Sequence, residues 1–190
     1  MYKFLRQPLL SRSRIFLACV RGVKVEARME ELGLAIPHLS QPKGNYINFI
    51  KTGNLYHIAG HLPIYVNESD KPLPHGHVTI PTGILITGRV GEAITKEEAY
   101  EAARHAGLNI ICTLKHIFGD LDKVKRIVKL TGFVNCCNGF TEQPFVMNGA
   151  SDLMVEVFRE KGKHVRSAVG TNVLPFTIPV EIEAIVEAEN

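Results

Sequence analysis

The sequence predicts an α+β fold, in which one mixed sheet carries two helices on one face. The chain has 190 residues, of which 45% are hydrophobic and 22% charged, and this suits one globular domain of ordinary composition. Short β-rich segments surround two segments of helical periodicity, in the order β-β-(β)-α-β-α-β-β. Such a two-layer domain leaves one sheet face uncovered. In a chain of this size we expect that face to contact another subunit.

The first elements are predicted to form a β-hairpin. Residues 46–50 and 55–60 are rich in β-forming side chains, and a glycine–asparagine turn at 53–54 separates them. The prolines and turn residues of segment 63–82 predict a surface loop. Residues 84–91 then predict a short strand or extended segment.

The clearest element is a helix over residues 96–118. Thr95 is placed to cap its N-terminus, acidic residues follow in the first turn, and apolar residues recur at helical spacing from Ala99 to Ile117. The remaining predicted elements are a strand at 124–135, a helix at 151–160 that stops before Gly162, and strands at 166–172 and 179–186.

The net charge of +3 conceals an uneven distribution. Residues 1–28 hold seven Lys and Arg against one Glu, a charge of +6, so that residues 29–190 carry −3. We therefore divide the chain into a basic leader, 1–28, and a single mildly acidic domain, 29–190. An acidic body is a poor match for a phosphate backbone, so nucleic-acid binding is not expected.

The leader interleaves arginines with apolar residues, which is the composition of a mitochondrial transit peptide. The alternatives are a disordered basic tail and a cytoplasmic protein. No apolar run reaches the ~18–20 residues that a membrane-spanning helix needs, so no membrane association is expected.

Two predicted strands near the C-terminus carry candidates for chemistry. Glu181 and Glu183 alternate with apolar residues, so they share one face of their strand, and Arg166 lies on the strand before. An arginine binds a carboxylate through two N–H donors, and a glutamate can activate water. An ordinary structural ion pair between the strands is the alternative.

Four motifs in order resemble the Rid family of reactive intermediate deaminases, also called YjgF or L-PSP proteins. They are Gly44-Asn-Tyr46, the segment from Gly53 to Pro63, Arg166-Ser-Ala-Val with Leu174-Pro175, and Val180-Glu-Ile-Glu-Ala. The resemblance covers about residues 40–187. It implies a chorismate-mutase-like fold, a homotrimer with clefts between subunits, and no cofactor. It also implies a hydrolase of C=N bonds that converts 2-imino or 2-enamino acids to 2-keto acids and ammonia.

The resemblance also implies roles for individual residues. Arg166 matches the arginine that grips the substrate carboxylate, and Glu181 matches the glutamate associated with the hydrolytic water. Tyr46 matches the tyrosine that lines the cleft, and Gly60 matches the glycine whose carbonyl faces the amine. Asn148 falls near the family's helix-start asparagine.

Three positions depart from the family pattern. His61 replaces the glutamine of the cleft wall, Ala59 replaces a serine, and Ala168 replaces a cysteine. The loss of a hydroxyl and a thiol bears on substrate preference more than on the activity itself, and we expect His61 to contact the substrate.

Other functions stay open. One is an endoribonuclease or translation inhibitor of the L-PSP type, as relatives in the resembled family are described. The acidic domain weighs against this function, whereas the basic residues of segment 123–129 keep it open. Another is a trimer that binds small carboxylates without turnover. The histidines at 57, 61, 75 and 77 have no carboxylate or thiol partners at ligand spacing, so no metal site is expected. Adjacent Cys136 and Cys137 carry no motif of a cysteine nucleophile.

Overall fold

The computed structural model describes residues 24–37, 42, 44–65, 77–80 and 83–189. Most of the expected leader therefore lies outside the described residues. The helices are α1 (Val25–Glu31), α2 (Lys96–Phe118) and α3 (Gln143–Phe158). The strands are β1 (Phe49–Thr52), β2 (Leu55–His61), β3 (Ile64–Tyr65), β4 (His77–Ile80), β5 (Gly83–Ile86), β6 (Val124–Asn135), β7 (Val165–Thr171) and β8 (Val180–Ala188).

The main sheet is mixed and has the order β1-β2-β8-β6-β7. Only β6 and β7 pair in parallel within it, because α3 connects them as a crossover. Both α2 and α3 pack on one face of this sheet and against each other, which confirms the predicted two-layer α+β architecture. None of the described helices combines the length and apolar character needed to cross a membrane.

Helix α2 occupies the predicted residues because its start and its buried face are both locally encoded. Thr95 and Glu98 form a capping box: the Glu98 N–H donates to Thr95 Oγ1 (3.1 Å) and the Thr95 N–H donates to Glu98 Oε2 (2.7 Å). Small residues on the buried face let α3 approach closely. A Cβ at Gly149 of α3 would overlap the Tyr100 carbonyl of α2.

That close approach explains why α3 begins at Gln143 rather than near residue 151, where the prediction was wrong. Pro144 stands in the first turn, where its missing N–H needs no partner. Gly149 weakens an isolated helix, but the packing against α2 requires it. The helix ends at Phe158, and a short 3₁₀ turn follows over Arg159–Gly162.

The segment expected as one loop over 63–82 also contains strands. β3 and β4 both pair with β5 to form a small second sheet of order β3-β5-β4. Ile64 and Leu85 are buried with Ile178 in a separate small core, which holds this sheet to the domain.

Helix α1 crosses the expected boundary between leader and domain at residue 28. Its Val25 and Met29 are buried in the main core. The Val25 N–H donates to Asp122 Oδ1 (2.9 Å), and Glu26 accepts from the Leu121 N–H (2.9 Å). Residues 25–28, which the sequence analysis assigned to the leader, therefore belong to the folded part that the structure describes.

Candidate functional site

A cavity of about 300 Å³ lies where β2 ends and β8 begins. The sequence-predicted residues Tyr46, Gly60, His61 and Glu181 all line it, although they come from three separate segments. Asn109 and Thr113 of α2 line it as well, and the loop residues Pro175 and Phe176 complete one side.

A β-bulge in β2 determines which way these side chains point. Ile58 is opposite Ala184 and His61 is opposite Ile182, so three residues of β2 span two residues of β8. Without the extra residue, His61 would face the open side of the sheet. With it, His61 shares the side of Ile182 and reaches α2.

His61 is held by two hydrogen bonds. Its Nδ1 lies 2.7 Å from the Ala59 carbonyl oxygen and its Nε2 lies 2.7 Å from Thr113 Oγ1. A carbonyl only accepts, so the proton is on Nδ1 and Nε2 accepts from the Thr113 hydroxyl. Burial lowers the pKa of His61, although the Ala59 contact opposes this shift, and the ring is neutral at pH 7.

The Glu181 carboxylate lies directly against Gly60. A Cβ at position 60 would overlap that carboxylate, so only glycine leaves room for it. Burial raises the pKa of Glu181, and the charge of neighbouring Glu183 raises it further. No hydrogen bond or ion pair joins this carboxylate to another residue that the structure describes.

Asn109 and Thr113 were not identified from the sequence. Both are buried, and they stand four residues apart on the face of α2 that packs against the sheet. Asn109 Nδ2 donates to the carbonyls of Leu62 and Ile64, each at 3.0 Å, and to that of His105. Two polar residues at helical spacing on an otherwise apolar face were the available signal.

Arg166 does not line the cavity of its own protomer. It lies on β7, at the edge of the main sheet, and is partly buried. Its guanidinium donates to Ser151 Oγ (2.8 Å) and to the Pro144 carbonyl (3.0 Å). Asn148 lies between these two partners on α3, at the spacing that puts all three on one helix face.

Arg166 and Glu181 lie on opposite faces of the main sheet within one protomer. Strand β6 lies between their strands, with Leu130 opposite Arg166 and Phe133 opposite Glu181. Arg166 faces the helices, whereas Glu181 alternates with the buried residues of β8 and faces the open side. Two strand spacings and three residues separate their Cα atoms by about 14 Å.

The open sheet face carries several exposed apolar side chains among its polar ones. Ile47, Ile50, Val165 and Val169 are all exposed on this face or at its edges. A second depression of about 400 Å³ also lies on this face, lined by Ile47 and Ile50 together with His57 and Glu183.

The other candidate chemistries find less support among the described residues. Lys123 donates to the Phe118 carbonyl and Lys125 pairs with Glu187, so half of the basic cluster at 123–129 is engaged in the fold. His57 faces the open side and His61 faces α2, so they do not converge, and His75 lies outside the described residues.

One group of carboxylates, at residues 26, 120 and 122, is close enough to hold an ion. Its members already anchor local structure. Glu26 accepts from Lys115 and from the Leu121 N–H, Asp120 caps the turn that follows α2, and Asp122 accepts from α1.

The comparisons with known proteins agree with this architecture. The family described as "YjgF/chorismate_mutase-like, putative endoribonuclease" matches residues 26–183. Protein TCP17 from Trypanosoma cruzi is 38% identical over 175 residues, which cover 92% of this chain and 100% of that protein.

Two solved structures are similar over nearly the whole domain. Protein Atu1372 from Agrobacterium tumefaciens, whose function is unknown, is 38% identical with a TM-score of 0.70, over 87% of this chain and 94% of that one. A Shewanella oneidensis protein that carries the same endoribonuclease description is 29% identical with a TM-score of 0.75, over 86% of this chain and 99% of that one. The chain therefore belongs to the YjgF/chorismate mutase-like family.

Proposed function

We propose that the protein hydrolyses 2-imino acids, or their 2-enamine tautomers, to 2-keto acids and ammonia. One observation carries the proposal: a half-buried glutamate without a partner among the described residues lies against Gly60, in a cavity that Tyr46 also lines. A carboxylate in such a position is available to act on a bound water.

The reaction needs only modest assistance. Water attacks the electrophilic carbon of a protonated imine, the new C–O bond forms, and the electron pair of the C=N bond moves to nitrogen. Glu181 accepts a proton from the attacking water and returns it to the amine nitrogen of the resulting carbinolamine. The C–N bond then breaks, the oxygen lone pair forms the C=O bond, and the hydroxyl proton passes to the departing ammonia, which leaves as ammonium. Because burial raises the pKa of Glu181, the carboxylate is a better base than an exposed glutamate. We propose that the carbonyl of Gly60, which lines the same cavity, accepts a hydrogen bond from the substrate nitrogen.

The substrate carboxylate needs a cation, and we propose that a neighbouring subunit supplies it. Among the described residues that line the cavity, the only basic side chain is His61, which is buried and neutral. Arg166 lies on an edge strand, and exposed apolar residues lie at that edge and elsewhere on the open face. A homotrimer that buries these residues would bring Arg166 and Asn148 of one protomer to the cavity of the next.

Ammonia release tests the activity. A 2-imino acid is generated continuously from an amino acid by an amino-acid oxidase with catalase, and the loss of imine is followed with and without the protein. Wild-type protein should accelerate hydrolysis, whereas Glu181→Gln and Arg166→Ala should each abolish the acceleration while leaving the oligomer intact. Undiminished activity in either variant would refute that residue's assigned role.

A second candidate is RNA cleavage, because the matching family and the Shewanella relative both carry an endoribonuclease description. Labelled RNA incubated with the protein distinguishes the two activities. Cleavage that Glu181→Gln does not change, together with no imine hydrolysis, would favour the RNase function. Binding of small carboxylates with neither activity would indicate a non-catalytic trimer.

We also propose that the basic leader directs the protein to mitochondria. Fusion of residues 1–28 to a fluorescent reporter should place the reporter in mitochondria, and a diffuse reporter would contradict the assignment.

A further inference from the structure

We propose that the end of the cavity that faces α2 selects 2-imino acids whose side chain ends in a neutral hydrogen-bond donor, such as a carboxamide. This inference rests on the proposed function, because Glu181 and Gly60 fix where the reacting carbon lies. Since the proposed function places the substrate carboxylate toward a neighbouring subunit, the substrate side chain is assigned to the other end of the cavity, which Asn109 and Thr113 line.

The environment of Asn109 fixes which end of its carboxamide faces the ligand. Three carbonyl oxygens, those of Leu62, Ile64 and His105, lie 3.0 Å from one terminal atom. Carbonyls only accept hydrogen bonds, so that atom is the nitrogen and both of its protons are used. The Asn109 oxygen accepts from none of the described residues, and it is the group that this side chain can offer to a ligand.

Thr113 offers a second acceptor. Its hydroxyl proton points to His61 Nε2, because the Nδ1 proton of that ring is committed to the Ala59 carbonyl. The remaining lone pairs of Thr113 Oγ1 accept from none of the described residues. The imidazole thus orients the hydroxyl so that it presents an acceptor, not a donor, to the cavity.

At the end of the cavity that faces α2, Asn109 and Thr113 therefore each present an acceptor and no donor, beside the apolar side chains of Leu62 and Ile64. A carboxylate side chain would receive no hydrogen bond from Asn109 or Thr113, and the negative charge of Glu181 lies in the same cavity. An aliphatic side chain would fit but would leave both acceptors desolvated and unpaired. A carboxamide satisfies them with its N–H donors. The volume of about 300 Å³ is at the lower end of the ~300–1,000 Å³ typical of small-ligand sites, so it admits a compact substrate.

Three isosteric substrates test this selection. Leucine, asparagine and aspartate have the same γ-branched skeleton, and they end in two methyls, a carboxamide and a carboxylate respectively. Their imino acids are generated by amino-acid oxidases, and kcat/KM is measured for each with the full chain. We expect the asparagine-derived imine to be preferred about tenfold over the leucine-derived one. The aspartate-derived imine should be the poorest substrate.

Two variants of Thr113 separate the hydrogen bond from packing. Thr113→Val keeps the shape but removes the hydroxyl, and it should reduce the asparagine-over-leucine preference several-fold. Thr113→Ser retains the hydroxyl and should preserve the preference. Asn109→Leu should remove the preference entirely, but it also leaves three buried carbonyls without a donor and can prevent folding, so the Thr113 pair is decisive.

Calorimetric binding of the three amino acids themselves distinguishes failure of this inference from failure of the proposed function. Tightest binding of asparagine without any turnover would uphold the selectivity and refute the hydrolase. Turnover of all three imines at equal rates, or fastest turnover of the leucine- or aspartate-derived imine, would overturn the selectivity and leave the hydrolase standing. Neither turnover nor binding would overturn both.

Discussion

Replacement of Gly60 by alanine tests the contact on which the proposed chemistry depends. Gly60 does not adopt a positive φ, so its backbone accepts an alanine, but the new methyl would occupy the space of the Glu181 carboxylate. Glu181 must then rotate away from the site where we place the reacting carbon. A general base contributes about 10²–10⁴-fold to a rate, so kcat should fall by at least about 100-fold.

The fold should survive this change. The clash is with the end of a flexible side chain that borders a cavity, and rotation of Glu181 relieves the overlap. We expect the free energy of unfolding to change by less than about 1 kcal/mol, because rotating a side chain that borders an open cavity has little effect on stability. Thermal unfolding of wild type and variant, measured in parallel with ammonia release, checks both expectations.

A double-mutant cycle makes the test sharper. If Gly60→Ala acts by displacing Glu181, then Gly60→Ala combined with Glu181→Gln should be no slower than Glu181→Gln alone. Losses that multiply in the double variant would show that the alanine acts elsewhere. Wild-type activity in Gly60→Ala would refute the proposed role of the contact itself.

Three further predictions concern pH and stability. Burial and the charge of Glu183 raise the pKa of Glu181, so kcat/KM should rise with pH and its inflection should lie above the ordinary value of 4.5. Glu183→Gln should move that inflection to lower pH. A kcat/KM that falls over this pH range would contradict the role of Glu181 as a base. Burial raises the pKa of Glu26, but hydrogen bonds from the Leu121 N–H and from Lys115 outweigh this effect, so the net pKa is lowered. The ionised carboxylate therefore stabilises the folded state at pH values above its unfolded-state pKa, and this stabilisation is lost as the pH falls through its folded-state pKa. Glu26→Gln should therefore lower Tm at pH 7 but have little effect in strong acid, and an equal loss at both pH values would oppose this. Thr95→Ala removes the capping box and should destabilise the protein by about 1 kcal/mol, a Tm decrease of about 2–4 °C, with no loss of activity at 25 °C; an unchanged Tm would argue against the cap.

Locally encoded structure was predictable from the sequence, and structure set by distant contacts was not. The bounds of α2 followed from Thr95 and a regular apolar face. The start of α3 was not predicted because glycine has a low helix propensity, and the packing of Gly149 against α2 is visible only in the structure. The order of strands in the main sheet was also inaccessible, since the last strand of the chain, β8, inserts between β2 and β6.

The residues of the candidate site also divide into those that local motifs identify and those that only distant contacts bring to the cavity. Tyr46, Gly60, His61 and Glu181 were named from motifs, and they do line one cavity. Arg166 was named too, but its separation from Glu181 depends on β6, which no local pattern reveals. Asn109 and Thr113 were missed because a single β-bulge in β2 turns His61 toward α2 and joins the helix to the cavity.

Subunit complementation tests most directly whether each reactive cleft is shared between protomers. Glu181→Gln and Arg166→Ala protein, each inactive alone, are unfolded together, refolded as an equal mixture and assayed for ammonia release from a 2-imino acid. If one subunit provides the arginine and its neighbour the glutamate, one cleft in every mixed trimer is intact, and random assembly should restore about a quarter of wild-type activity. Mixed trimers that form but stay inactive would contradict a shared cleft.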